Sequence, residues 1–129
     1  MRRIKTVIDD RSYDLLQRQF DNTEQGAGFI LDAWPVVYED TLERVVKSYT
    51  RDELKLIIDV FNATMIMPEQ AGFMLLAEVM EGIKRNELDV KWKVSESEIV
   101  DKLRGLGAFD AACLGMWAHS YWYSGAGEV

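Results

Sequence analysis

The amino-acid sequence predicts an all-α domain, because it contains two capping motifs, a proline that can start a helix, and helical periodicity. Thr50 and Ser95 are each followed three positions later by a glutamate, which is the pattern of a helix-starting capping box. Pro68 begins a segment in which apolar residues recur every three or four positions. We therefore predict one mainly helical domain over residues 1–129, with about five or six helices.

The N-terminal residues are predicted to form a short strand or arm. Residues 3–8 are rich in β-branched side chains and partly alternate between polar and apolar, and a first helix follows over residues 10–20. Residues 89–94 alternate strictly, with lysines on one side, and are predicted to be an exposed edge strand. Whether the two extended segments pair as a small two-stranded ribbon is left open.

A break is predicted between the first and second helices. Residues 22–28 contain two glycines and little apolar content, which indicates a loop. Residues 29–34 are expected to form a short buried turn, because Pro35 biases the residue before it away from helical backbone. The second helix is then expected to begin at about Pro35. The later helices are predicted over residues 50–65, 68–86, 95–105 and 108–123, with a disordered tail at 124–129.

Composition restricts the classes of function. The net charge is −7 and the isoelectric point is near 4.7, which makes nucleic acid an improbable general partner, because phosphate binding depends on clustered cations. The chain has one cysteine, so an internal disulfide is excluded and a reducing cytoplasm is expected. The apolar runs are shorter than the roughly 18 residues of a membrane span. We expect neither export nor a membrane partner.

No motif in the sequence indicates a reaction. His119 is the only histidine, and its neighbours on a helix include no acid or nucleophile that could work with it. Cys113 stands between alanine and leucine, where it is expected to be buried as a small apolar residue. The glycines do not form a phosphate-binding loop. We therefore expect no catalytic residue, metal site or cofactor, and we keep an enzyme of unknown type only as a third hypothesis.

The last predicted helix is the principal candidate for a binding surface. Residues 109–123 contain no lysine or arginine, and a helix that is apolar all round is buried either in its own domain or against a partner. Trp117, Tyr121 and Trp122 are the residue types that dominate protein interfaces. The sequence therefore favours a non-enzymatic binding or regulatory module that acts through protein contacts and self-associates as a homodimer. The alternative, a helix buried in its own core, stays open.

A second hypothesis comes from the N-terminal residues. The segment Arg2–Leu16 resembles the basic strand and first helix of ribbon-helix-helix repressors. The resemblance implies a DNA-binding regulator in which Arg3, Lys5 and Val7 face the major groove, since strand side chains repeat every second residue. The glycines of residues 26–28 and the negative net charge favour the protein-binding hypothesis over this one.

Overall fold

A computed structural model of the protein describes residues 7–61 and 66–124, which are helical for most of their length. These residues contain seven helices and no strand. The all-α prediction is confirmed, and the helix count exceeds the expected five or six. The helices are α1 (Asp10–Gln19), α2 (Thr23–Val46), α3 (Arg51–Val60), α4 (Pro68–Asn86), α5 (Leu88–Trp92), α6 (Glu96–Arg104) and α7 (Ala108–Ser124).

The chain divides into two compact units, Met1–Val37 and Tyr38–Val129. The first unit holds α1 and the first part of α2, and the second holds the rest of α2 and helices α3 to α7. The single domain expected from the sequence stays a prediction. Of the predicted tail, Ser124 is the last residue of α7, and residues 125–129 lie outside the described residues.

The core of the second unit is built on the contact between α4 and α7. A Cβ atom added at Gly115 would lie 2.6 Å from the carbonyl carbon of Ala71, and one added at Gly72 would clash with Ala112. The two helix backbones therefore meet at small residues. The largest fully buried side chains around this contact and on its neighbours α3 and α6 are Leu56, Ile57, Phe61, Leu75, Val79, Ile99, Cys113 and Leu114.

Local signals fix where several helices begin. The Thr50 hydroxyl accepts a hydrogen bond from the Glu53 amide at 3.1 Å, and the Glu53 carboxylate accepts one from the Thr50 amide at 2.8 Å. This is the reciprocal capping box that the sequence predicted. The Ser95 hydroxyl caps α6 by accepting from the Glu98 amide at 3.4 Å. Helix α4 begins at Pro68, as expected.

The predicted edge strand at residues 89–94 is wrong, because residues 88–92 form helix α5. Leu88 and Trp92, four residues apart, pack on the core, whereas Val90 between them is exposed. The apolar alternation is therefore not one face of a strand. Glu87 and Lys93 bound the helix with left-handed backbone, at φ values of 50° and 56°. The predicted ribbon is therefore not formed by residues 89–94. Of the N-terminal strand predicted over residues 3–8, residues 7 and 8 are not in a strand, and residues 3–6 lie outside the described residues.

The predicted break before Pro35 is also wrong. Helix α2 begins at Thr23, where the side chain of Asn22 accepts a hydrogen bond from the Gln25 amide at 3.0 Å. Gly26 has a local packing role rather than a loop role, because the Phe20 ring occupies the space where a Cβ would stand. Pro35 lies inside the helix, so the residues expected to form a short buried turn are helical and, for the most part, exposed.

We predict that Gly115→Ala lowers the free energy of unfolding by about 1–3 kcal/mol, because the added methyl group forces α4 and α7 apart. The measurement is urea unfolding followed by circular dichroism. Gly105→Ala is the matched control, since the nearest atom to its added Cβ is 3.5 Å away and its backbone is right-handed helical. Equal stability of Gly115→Ala and the unmodified protein would contradict the close packing of α4 and α7.

Candidate functional site

The aromatic residues singled out in the last helix lie beside the core. Trp117 and Tyr121 are half-buried, pack against the buried cluster, and meet edge to face with ring centroids 4.7 Å apart. The Trp122 side chain lies outside the described part of the structure. On the same helix, Leu114 and Ala118 are fully buried. A binding role for this aromatic group stays a prediction, and the packing of its two described members supports the core interpretation.

The residues of the DNA-binding hypothesis are described only in part. Arg3 and Lys5 lie outside the described residues. Val7 is exposed and is not in a strand. It precedes α1, which begins where the Asp9 carboxylate accepts a hydrogen bond from the Ser12 amide at 2.8 Å and this bond lowers the pKa of Asp9. The groove-facing role of these three residues stays a prediction.

The two residues considered for chemistry are buried in the second unit. His119 donates from Nε2 to the carbonyl oxygen of Ile66 at 2.8 Å, and its ring meets Phe61 edge to face. Burial raises the pKa of the Cys113 thiol, which favours the protonated and less nucleophilic form. Within the described ranges, no three histidine, cysteine, aspartate or glutamate side chains converge as metal ligands. His119 and Cys113 both lie in the buried interior of the second unit.

A buried charged cluster ties α3 to α6. Glu53 is buried, and its carboxylate forms an ion pair with the Lys102 ammonium at 2.6 Å. The same carboxylate accepts the capping hydrogen bond from the Thr50 amide. The Lys102 ammonium also lies 5.6 Å from the centre of the Tyr49 ring. The Tyr49 hydroxyl is buried with no hydrogen-bond partner among the described residues. Burial, and secondarily the charge of Glu53, raises the pKa of Tyr49 to about 12.

A second polar cluster attaches α5 to α3. One carboxylate oxygen of Asp59 accepts from the Lys91 ammonium at 2.7 Å and from the Trp92 indole at 2.9 Å. Lys55 and Lys91 both lie within 6 Å of the Trp92 ring centre. Lys91, expected to project from a strand edge, instead stabilises the position of a short helix.

A bidentate ion pair joins the C-terminal part of α2 to α7. The Arg44 guanidinium donates to both carboxylate oxygens of Asp110, at 2.7 and 3.0 Å. These bonds lower the pKa of Asp110 below its ordinary value. Together with buried Val45, the pair fixes this end of α2 in the second unit.

The first unit presents a different surface. We name residues 29–37 of α2 the apolar segment. The nine residues include only one charged side chain, Asp32. Six large apolar side chains in the segment are between 37% and 65% exposed. They are Phe29, Ile30, Leu31, Trp34, Val36 and Val37. This is the longest run of exposed apolar side chains among the described residues.

The apolar segment is apolar over most of the helix circumference. Successive residues of a helix are about 100° apart around its axis. The apolar side chains therefore occupy a continuous arc of roughly 220°, with Val36 at one edge and Leu31 at the other. Asp32 and Pro35 lie on the remaining side. A surface helix needs an apolar stripe of roughly 100° to pack on its own domain. The segment therefore presents more apolar surface than one packing face requires.

Helix α1 also has exposed apolar residues. None of its residues is buried, although apolar and polar residues separate clearly onto two faces. Tyr13 and Leu15 are close to half exposed. Phe20, just after the helix, turns back onto α2, where its ring lies 6.0 Å from that of Phe29. Over residues 7–37, the first unit thus buries little apolar surface of its own.

Exposed apolar residues of the second unit are arranged differently. Phe73 is 87% exposed on α4, Val90 is 70% exposed on α5, and Phe109 is about half exposed on α7. Met67, Met74 and Met80 are also exposed, at 55%, 37% and 42%, at the start of α4 or within it. The exposed apolar residues of this unit are thus spread over three helices rather than gathered within nine consecutive positions. The apolar segment of α2 is therefore the candidate binding surface. The sequence signal for this surface is the stretch from residue 25 to residue 38, which contains a single charge. The glycines and Pro35 in this stretch led instead to the prediction of a break between helices.

Comparison with known protein families, with curated proteins and with solved structures finds no match. Among the described residues, no helix is long and apolar enough to cross a bilayer. The binding surface must therefore be interpreted from its own geometry and chemistry.

We predict that Trp117→Ala lowers the free energy of unfolding by about 2–4 kcal/mol, because Trp117 packs against the core. Phe73→Ala is the control, since Phe73 is almost fully exposed and should change stability by less than about 0.5 kcal/mol. Chemical denaturation measures both. A Trp117→Ala protein of unchanged stability and altered oligomeric state would assign Trp117 to an interface instead.

We predict that stability falls as the pH rises from about 10 to about 12, and that Tyr49→Phe removes much of this loss. The unfolded tyrosine loses its proton near pH 10, whereas folded Tyr49 keeps it to about 12. Deprotonation therefore stabilises the unfolded state first, by about 2 kcal/mol across this window. Urea unfolding along a pH series measures the difference between the two proteins. Tyr13→Phe, at an exposed position, is the control; parallel curves for Tyr49→Phe and the unmodified protein would contradict the interpretation.

Proposed function

We propose that this protein is a non-enzymatic, helical protein-binding module whose contact surface is the apolar segment of α2. The observation that carries the proposal is the exposure of six large apolar side chains within nine residues that include one charge. On monomeric proteins the largest apolar patch is about 300–600 Å² and is often functional. Six side chains about half exposed, at roughly 200 Å² each in full, leave on the order of 600 Å².

The shape of the surface supports a protein partner. Small ligands bind in concave pockets, whereas the apolar segment is the outer surface of a helix and is convex. A helix of this kind binds by laying its apolar face against another apolar surface, as in helix-in-groove complexes. A protein with a complementary apolar face is the partner that this geometry fits.

The charges near the segment disfavour two other partners. Residues 25–38 contain no lysine or arginine, so the segment has no cation to contact a nucleic-acid phosphate. Helices that lie on membrane surfaces have lysine and arginine on their polar side, whereas Asp32 occupies that side here. We place the module in the reducing cytoplasm, because its one cysteine, Cys113, is a buried free thiol and the chain has no second cysteine with which to form an internal disulfide.

A photo-crosslinking experiment tests the proposal. We expect a photoreactive phenylalanine analogue in place of Val36 to form a defined crosslink to protein in cells of the native host. The physical reason is that Val36 is 62% exposed at the edge of the apolar segment, where a partner would cover it. Denaturing gel electrophoresis, followed by mass spectrometry of the shifted band, measures the product.

The same analogue in place of Val90 is the matched control. Val90 is also a strongly exposed valine on a helix, but it lies outside the apolar segment. We expect no defined product from this position. Equal crosslinking from both positions, or none from Val36, would contradict the proposed binding surface.

A further inference from the structure

We propose that the apolar segment is covered by a second copy of this chain, so that the protein is a two-fold homodimer joined through α2. This inference rests on the proposed function and names the partner of the same surface. It also moves the expected self-association from the aromatic residues of α7 to the first unit.

The available area agrees with a dimer. Stable specific interfaces bury about 1,200–2,000 Å² in total. The apolar segment leaves on the order of 600 Å² exposed per chain, so two copies supply roughly 1,200 Å² before any other residue is included. Tyr13 and Leu15 on α1 add apolar area in the same unit. The area from α2 reaches the lower limit of a stable interface, and the exposed apolar residues of α1 are available to add to it.

The width of the apolar arc suggests how a second copy covers it. One facing helix covers a stripe of roughly 100°, whereas the apolar segment spans roughly 220°. A second copy brings two suitable helices, its own apolar segment and its own α1, whose apolar face is not buried. Two such helices match an arc that one helix cannot cover.

The charge pattern favours a like surface as the partner. The arc contains no charge, so it offers no ionic group by which to select a basic or acidic partner. Asp32 lies on the opposite side of the helix, where it stays in water and is not buried against the Asp32 of the other copy. A patch that pairs with itself closes as a two-fold dimer and leaves no free end for further growth.

Light scattering on a size-exclusion column tests the inference with the full-length protein. We expect a mass of about twice the 14.8 kDa of one chain. Phe29→Glu with Val37→Glu places a carboxylate at two points of the arc and should weaken dimerisation by at least about a hundredfold. Phe73→Glu with Val90→Glu makes the same two chemical changes on exposed positions of the second unit, and should leave the dimer intact.

Several results would overturn the inference. A purified protein that stays monomeric at high micromolar concentration removes the second copy as the partner. If Val36 still crosslinks to a different protein in cells, the binding module survives and only its partner changes. A Phe29→Glu/Val37→Glu protein that remains a dimer assigns self-association to another surface. Assemblies larger than a dimer contradict two-fold closure.

A footprinting measurement on the unmodified protein covers the case in which the double variant does not fold. Hydroxyl-radical oxidation of Phe29 should fall as protein concentration rises and the dimer forms. Oxidation of Phe73 should stay constant, because Phe73 is exposed outside the interface. Oxidation of Phe29 that does not depend on concentration, in a protein that light scattering shows to be dimeric, would place the interface elsewhere.

Discussion

The close approach of α4 and α7 is the constraint on which the second unit depends. Gly72 and Gly115 let the two helix backbones meet where any side chain would clash. This contact places α7 in the middle of the unit, so that Leu114 and Ala118 are fully buried. The near-absence of a polar face on α7 then has a simple cause, because a central helix has neighbours on most sides.

The apolar segment of α2 differs from α7 in its exposure. Residues 29–37 are as apolar round the helix as α7, yet most of them are exposed. Small residues distinguish the two helices. Helix α7 meets α4 at Gly115 and Ala112, whereas the apolar segment has large side chains on most of its circumference. Large side chains hold a neighbouring backbone at a distance and supply more apolar area to a partner. Apolar content alone therefore does not distinguish a helix that its own chain buries from one that its own chain leaves exposed, whereas the size of the residues helps to do so.

The sequence predicted the features that depend on a few neighbouring residues. The capping box at Thr50 and the start of α4 at Pro68 follow from hydrogen bonds and backbone angles within four residues. The predictions at residues 89–94 and 22–35 were wrong because tertiary and capping interactions outweighed a local pattern. Asp59, distant in sequence, holds Trp92 in a helix. The candidate surface was missed because the sequence predicted a loop and a buried turn at residues 22–34, where the structure has an exposed helix.

The composition of the apolar segment and its flank connects binding with folding. A glycine inside a helix costs about 1 kcal/mol relative to alanine, and a proline about 3 kcal/mol. Helix α2 contains Gly28 and Pro35 close to one another, where few buried contacts of its own chain offset these costs. A partner that binds only the helical form stabilises it by an amount that grows with the logarithm of the partner's concentration above its dissociation constant. A partner that packs on the apolar segment would therefore offset the costs of Gly28 and Pro35, so the contact that we propose would also stabilise this part of α2.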